Sequence, residues 1–249
     1  MEKFLFTKLS MLIVIALVLQ MHGYKGCLEK ERTALLEIKE LFLNSSDYID
    51  YDSVNFELWF WVDDRVSDCC NWNRVECNTT TGRVINLSLS SILYYNSLSL
   101  HPILNFSMFQ PFEELQSLDL SGNYFEGWVG SRESLKQLKI LNLGWNNFNS
   151  SILSCLTTLT SLKTLILKWN YLEDFNTKKC AELANLRNLE FLDLSATGIS
   201  GTLQELEVFL RNLEFLDLSY TRISGSTLQE LDNHIFWWFI FNNFLARLI

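Results

Sequence analysis

Apolar and polar positions repeat along this chain in one fixed phrase. Leu115, Leu118 and Leu120 are followed by Asn123 and Phe125. Leu138, Leu141 and Leu143 are followed by Asn146 and Phe148, and Leu162, Leu165 and Leu167 by Asn170 and Leu172. The phrase returns at Leu189, Leu192, Leu194, Thr197 and Ile199, and at Leu213, Leu216, Leu218, Thr221 and Ile223. Val84, Leu87 and Leu89 form a degenerate first copy, with Ile92 where Asn is expected. The copies start 31, 23, 24, 27 and 24 residues apart, and the ten residues LRNLEFLDLS recur unchanged at 186 and 210. Self-similarity at such a period marks a repeat architecture. The alternation of leucine with a polar residue predicts a short strand whose leucines point inward. The Asn that follows is expected to satisfy buried backbone groups of its own and the next coil, with Thr197 and Thr221 doing part of that work. A later apolar pair, such as Leu156 and Leu159, closes the core from the convex side. One coil cannot bury this surface alone, so coils must stack.

The phrase L-x-x-L-x-L-x-x-N-x-L is the leucine-rich-repeat pattern. It predicts an α/β leucine-rich-repeat solenoid with a curved parallel β-sheet on its concave face. About six repeats occupy residues 83–231. Residues 1–23 read as a secretory signal peptide, because Lys3 and Lys8 precede the apolar run Leu9–Leu19. That run is shorter than the roughly 20 residues a membrane-spanning helix needs.

Between these parts lies a cap, residues 24–82. Glu29–Phe42 carries apolar residues at 35, 36, 38, 41 and 42, a helical stripe. An acidic aromatic stretch, 47–64, and the cluster DCCNWNRVEC follow. Six cysteines in an exported chain favour disulfides. Adjacent Cys69 and Cys70 rarely bond one another, so the expected pairs are Cys27–Cys69 and Cys70–Cys77. The first would clip the helix to a tryptophan-rich hairpin over the open end of the first coil. Cys155 and Cys180 either pair or stay as buried thiols. The cysteine spacing does not suit zinc, and no metal or other cofactor is expected.

Cys27, KERTALLEIK, Trp61, DCCNW, Val75, Cys77 and GRVINLSL together resemble the N-terminal cap of plant leucine-rich-repeat receptor-like proteins and receptor kinases. The resemblance runs from Met1 to about Leu231. It implies an extracellular or cell-surface recognition protein in defence or development, without a kinase, signalling through a partner co-receptor kinase. The chain departs from that family in having few repeats and an eroded L-x-G-x-I-P ending: Gly127, Gly201 and Gly225 remain, but the only prolines are Pro102 and Pro111. Residues 232–249, DNHIFWWFIFNNFLARLI, read as an aberrant hydrophobic tail. It is either a failed seventh coil or readthrough, and the expectation is a truncated member with no membrane span.

Chemistry is sparse. No G-x-S-x-G, P-loop, H-E-x-x-H or dinucleotide fingerprint is present, so an enzyme is not expected. The net charge of −9 and the lack of a basic stripe argue against nucleic acid. Binding is the better reading. Side chains flanking the inward leucines should line the concave face in columns: Asp119, Asn142, Trp145, Lys168, Trp169, Phe191, Asp193, Phe215, Asp217 and Tyr220. Their aromatic members supply contact area of the kind enriched at hot spots. Asp119, Asp193 and Asp217 recur in register and are read as solvated strand residues. The expected ligand is a peptide or protein. A soluble chain resembling polygalacturonase-inhibiting proteins, and a non-functional truncated product, are the alternatives. Asn44, Asn78, Asn105 and Asn149 begin N-x-S/T sequons and are expected glycan sites. Asn86 begins another but sits in the first strand.

Overall fold

A computed structural model of the chain describes residues 27–44, 56–64, 67–93, 103–130, 135–173, 183–202 and 213–224. The signal segment, the tail and Cys180 lie outside these residues.

The cap begins with helix α1 (Glu29–Asn44). Its buried face is Ala34, Leu35, Ile38 and Phe42; Leu36 is half-buried and Leu41 exposed, so the stripe is narrower than the apolar pattern suggests. A short helix α2 (Phe56–Trp59) and a 3-10 turn (Cys69–Asn71) lead into strand β1 (Val75–Cys77). Asp68 caps that turn by accepting the Cys70 N–H at 2.8 Å. β1 pairs antiparallel with β2 (Val84–Ser88). Cys27 is bonded to Cys69 and Cys70 to Cys77, with Cα separations of 5.7 and 5.4 Å. Trp61 is fully buried, stacks on Trp72 at 5.6 Å, and donates its indole N–H to Asn73 O.

Two charged side chains pin the cap. Arg32, buried, donates to the carbonyls of Val62, Asp64 and Ser67 and lies over the Trp72 ring at 5.1 Å. Glu31, also buried, accepts from Arg83 Nε at 2.8 Å and from the Val84 N–H at 3.1 Å. That carboxylate therefore ties α1 to the first strand of the solenoid. The pairing with Glu31 and Glu113 raises the Arg83 pKa against an opposing desolvation effect, which is the largest single influence.

The solenoid follows as β3 (Ile103–Asn105), β4 (Ser117–Asp119), β5 (Gly127–Val129), β6 (Ile140–Asn142), helix α3 (Ile152–Leu156), β7 (Thr164–Ile166), β8 (Phe191–Asp193), β9 (Ser200–Thr202), β10 (Phe215–Asp217) and β11 (Arg222–Ser224). Among the described residues the main sheet has the order β1-β2-β4-β6-β7-β8-β10 and is parallel from β2 onward. The register is in phase throughout, matching Leu87, Leu118, Leu141, Leu165, Leu192 and Leu216. These leucines are buried, as are Leu156 and Leu159 behind them. Phe125 is buried between Phe42 of the cap, at 6.1 Å, and Phe148 of the next coil, at 6.4 Å. Two further two-stranded sheets are β3-β5 and β11-β9, and an isolated parallel bridge pairs Asn149 with Tyr171. Of the three surviving repeat-end glycines, Gly127 and Gly201 sit in β5 and β9, and Gly225 lies outside the described residues.

The Asn ladder runs in the opposite sense to the expectation. Asn146 Nδ2 donates to Leu143 O and Gly144 O in its own coil and to Leu120 O in the preceding one. Its Oδ1 accepts from Phe125 N and Asn123 N, again in the preceding coil. Asn123 and Asn170 repeat the arrangement. Each Asn thus staples its coil backward. The hydroxyls of Thr197 and Thr221 donate to carbonyls of their own coils, Leu194 O and Leu218 O.

Candidate ligand-binding face

The main sheet places the residues flanking its buried leucines in columns. Ser117, Ile140, Thr164, Phe191 and Phe215 share one register line, and Asp119, Asn142, Ile166, Asp193 and Asp217 share the next. The chain then leaves each strand through a turn in which one residue takes a left-handed conformation. That position holds Ser91, Gly122, Trp145, Trp169, Ala196 and Tyr220, with φ between +52° and +70°. The turns are in register too: Trp145 N–H donates to Lys168 O, and Trp169 N–H to Ser195 O.

All ten expected face residues therefore come together on one surface, but they differ in what they can offer. Trp145 and Trp169 stack at 4.5 Å with their planes 12° apart, and are 52% and 50% exposed. Phe191 and Phe215 stack at 4.3 Å and 6°, half-buried. Each aromatic pair packs on itself and still presents area to solvent. Tyr220 is 79% exposed. Lys168 is half-buried, its stem passing close to Gly144.

The acids are not merely solvated. Asp119 Oδ1 accepts from the Ser121 N–H and hydroxyl, Asp193 Oδ1 from those of Ser195, and Asp217 Oδ1 from the Ser219 N–H. Asn142 does the same for Gly144. These carboxylates and this amide hold the turn at the strand end, a local competition for backbone donors typical of Asp and Asn. Asp193 is only 8% exposed, so it is a poorer ligand contact than its position suggests. At the strand entry Lys163 pairs with Glu190 at 2.5 Å, which raises the lysine pKa through that hydrogen bond. Both ends are well exposed, so the pair adds little stability. Ala196 belongs to this face as well. Its signal was the position just before the ladder Thr, where its neighbours carry Trp, Trp and Tyr.

Among the described residues no cluster of His, Cys, Asp and Glu could hold a metal ion, and no helix is long and apolar enough to cross a membrane. Cys155 is half-buried on the convex side.

Family models described as "Leucine Rich Repeat" match residues 114–132 and 212–234, and a second leucine-rich-repeat model matches residues 136–156. Receptor-like protein 9b of Arabidopsis thaliana is 43% identical over 197 residues, covering 77% of this chain and 19% of its own length. Receptor like protein 21 of the same plant is 42% identical over 216 residues, covering 83% of this chain and 21% of its own. The leucine-rich-repeat ectodomain of the receptor kinase SOBIR1 from Arabidopsis thaliana aligns over 81% of this chain and 98% of its own, with 25% identity and a TM-score of 0.49. The chain thus spans about a fifth of the length of the curated relatives it matches. On the repeat register, the capped first coil and these identities, the chain belongs to the leucine-rich-repeat receptor-like proteins of plants.

Proposed function

We propose that the chain is a non-enzymatic extracellular recognition module of a plant receptor-like protein, and that it binds a peptide or protein ligand on its concave sheet. The observation that carries this reading is the Trp145–Trp169 pair: two large indoles, each about half exposed, at a turn position where Ser91, Gly122 and Ala196 show that a small residue suffices. Large exposed aromatics on a concave repeat surface are what a binding site needs and what folding alone does not. Cell-surface placement, a role in defence or developmental signalling, and a co-receptor kinase as partner belong to the same reading, supported by the receptor-like relatives.

The test is a display screen of secreted plant peptides against the full chain produced in a secretory host. Trp145→Ala and Trp169→Ala should each weaken a selected ligand by about 2 kcal/mol or more, the scale of an aromatic hot spot. Ligands that bind both tryptophan variants as tightly as the parent would place the site off this face.

A further inference from the structure

The stacked indoles are part of a longer column, Gly122, Trp145, Trp169, Ala196 and Tyr220. The N–H groups of the first four donate to Gly144, Lys168, Ser195 and Ser219 carbonyls, one coil on in each case. All five share the left-handed backbone, so the side chains of Trp145, Trp169, Ala196 and Tyr220 leave the ladder in the same sense. Trp169 carries Trp145 against one face. On its other side the next side chain is the methyl of Ala196, too small to cover an indole, and beyond it stands Tyr220. Neighbouring rings on this face are 4.5 and 4.3 Å apart. Trp169 and Tyr220 are two coils apart, so they bracket a slot roughly 9 Å wide, in keeping with the spacing of adjacent strands. A group held midway would lie about 4.5 Å from each ring, inside the roughly 6 Å over which a ring face attracts a cation.

Charge selects the occupant. The coil of Tyr220 carries Asp217, half-buried and three residues before it, whereas Asp193 of the Ala196 coil is nearly buried. Asp217 uses Oδ1 to hold the Ser219 N–H, and among the described residues it is not seen in a salt bridge. Lys168 precedes Trp169 and Arg222 follows Tyr220 by two residues, while the chain as a whole carries −9. A group with flat faces for two rings and N–H edges for carboxylates is a guanidinium; an ammonium lacks the flat faces. We infer that the slot between Trp169 and Tyr220, floored by Ala196, receives an arginine side chain of an extended polypeptide ligand. This rests on the concave-face reading and names the ligand chemistry for it.

The fold supplies conservative variants. Ala196→Trp fills the slot at a position where two coils already carry Trp. Asp217→Asn removes the charge but keeps the turn, because Asn142 makes the same bond to Gly144 N. Tyr220→Ala removes one wall from an exposed site. The probes are acetyl-Gly-Arg-Gly-amide and its Lys, Phe and Glu counterparts, titrated calorimetrically into the full chain from a secretory host. The arginine probe should bind about tenfold or more tighter than the glutamate probe. Ala196→Trp should abolish its binding, and Asp217→Asn and Tyr220→Ala should each weaken it several-fold, with unfolding midpoints unchanged. A phenylalanine probe that equals arginine, or no saturation by arginine up to its solubility limit, overturns the inference. An arginine probe that survives Ala196→Trp and Tyr220→Ala but is lost in Trp145→Ala also overturns the slot, while leaving the concave-face reading intact.

Discussion

Asn146→Ala should loosen the solenoid by an amount that can be worked out bond by bond. Asn146 is buried, and its side chain makes five hydrogen bonds to backbone. Truncation does not orphan all five groups. Leu120 O keeps Asn123 Nδ2, Leu143 O keeps Asn170 Nδ2, and Gly144 O keeps the Gly122 N–H. Among the described residues the N–H groups of Phe125 and Asn123 find their acceptor in Asn146 Oδ1 alone. A buried donor left without a partner costs about 1–3 kcal/mol. The 3.3 Å bond from Asn123 is the weaker, so the expected loss is about 2–4 kcal/mol. Asn146→Thr should cost less. Where Thr197 replaces the ladder Asn, the Leu172 N–H turns to the Thr197 backbone carbonyl at 2.8 Å, so the chain has a second solution for this donor. Urea unfolding of the two variants gives the magnitudes, and hydrogen exchange at the Phe125 amide gives the location. A loss under about 0.5 kcal/mol in Asn146→Ala, with the Phe125 amide still protected, would refute the ladder argument.

Further outcomes follow from the cap and the surface. Opening the disulfides should cost about 4 kcal/mol for Cys27–Cys69 and about 2.5 for Cys70–Cys77, from loops of 42 and 7 residues, read by denaturation of the corresponding Ala pairs. Glu31→Ala should cost about 1–3 kcal/mol by leaving the buried Val84 N–H without its acceptor, while Arg83 keeps Glu113 and the Pro111 carbonyl, and Glu31→Gln less, because the amide still accepts; peptide-level hydrogen exchange should show the loss in α1 and β2 first. The Glu113 carboxyl is held below its ordinary pKa by its hydrogen bond to Lys30 and by the Lys30 and Arg83 charges. Its contribution is therefore present above the ordinary carboxylate pKa and disappears as pH falls through the depressed value, which a Glu113→Gln comparison across acidic pH detects as a flattened profile. Glycopeptide mapping should find occupancy at Asn78, Asn105 and Asn149, whose side-chain carbonyls accept the N–H of the sequon hydroxyl residue or its neighbour, and none at Asn86, whose Nδ2 donates to Glu76 in the sheet.

The repeat could be read from the sequence because its period is set by buried leucines, and burial is what a hydrophobic pattern records. Leu118, Leu141, Leu165, Leu192 and Leu216 fall where the phrase puts them. The cap could be read from its cysteines and tryptophans. Less legible were the features set by where a hydrogen bond goes. An Asn at the turn advertises that it will bond to backbone, but not whether it reaches forward or back. Three in-register aspartates look like a solvated row, yet their role as turn anchors depends on Oδ1 meeting the N–H two residues on. Leu41 is apolar and in phase with the helix, yet it lies outside the buried face.

The left-handed turn position links fold to function most directly. An L-residue there costs roughly 1–2 kcal/mol relative to an ordinary conformation, and glycine avoids most of that cost. Gly122 takes the economical option; Trp145, Trp169 and Tyr220 do not. Their side chains are about half exposed or more, so burial does not explain their presence. The ladder holds the backbone at these turns: the Trp145 and Trp169 N–H groups donate to the next coil, and Asn142 and Asp217 hold the N–H of Gly144 and Ser219, the residues just before Trp145 and Tyr220. The position thus varies among the coils, from Gly122 to Trp145, and the stacking of Trp145 on Trp169 offsets the conformational cost while leaving half of each indole facing solvent. Strain of this kind, kept on an exposed face by an over-determined backbone, is characteristic of sites where the side chain is needed for contact rather than for stability.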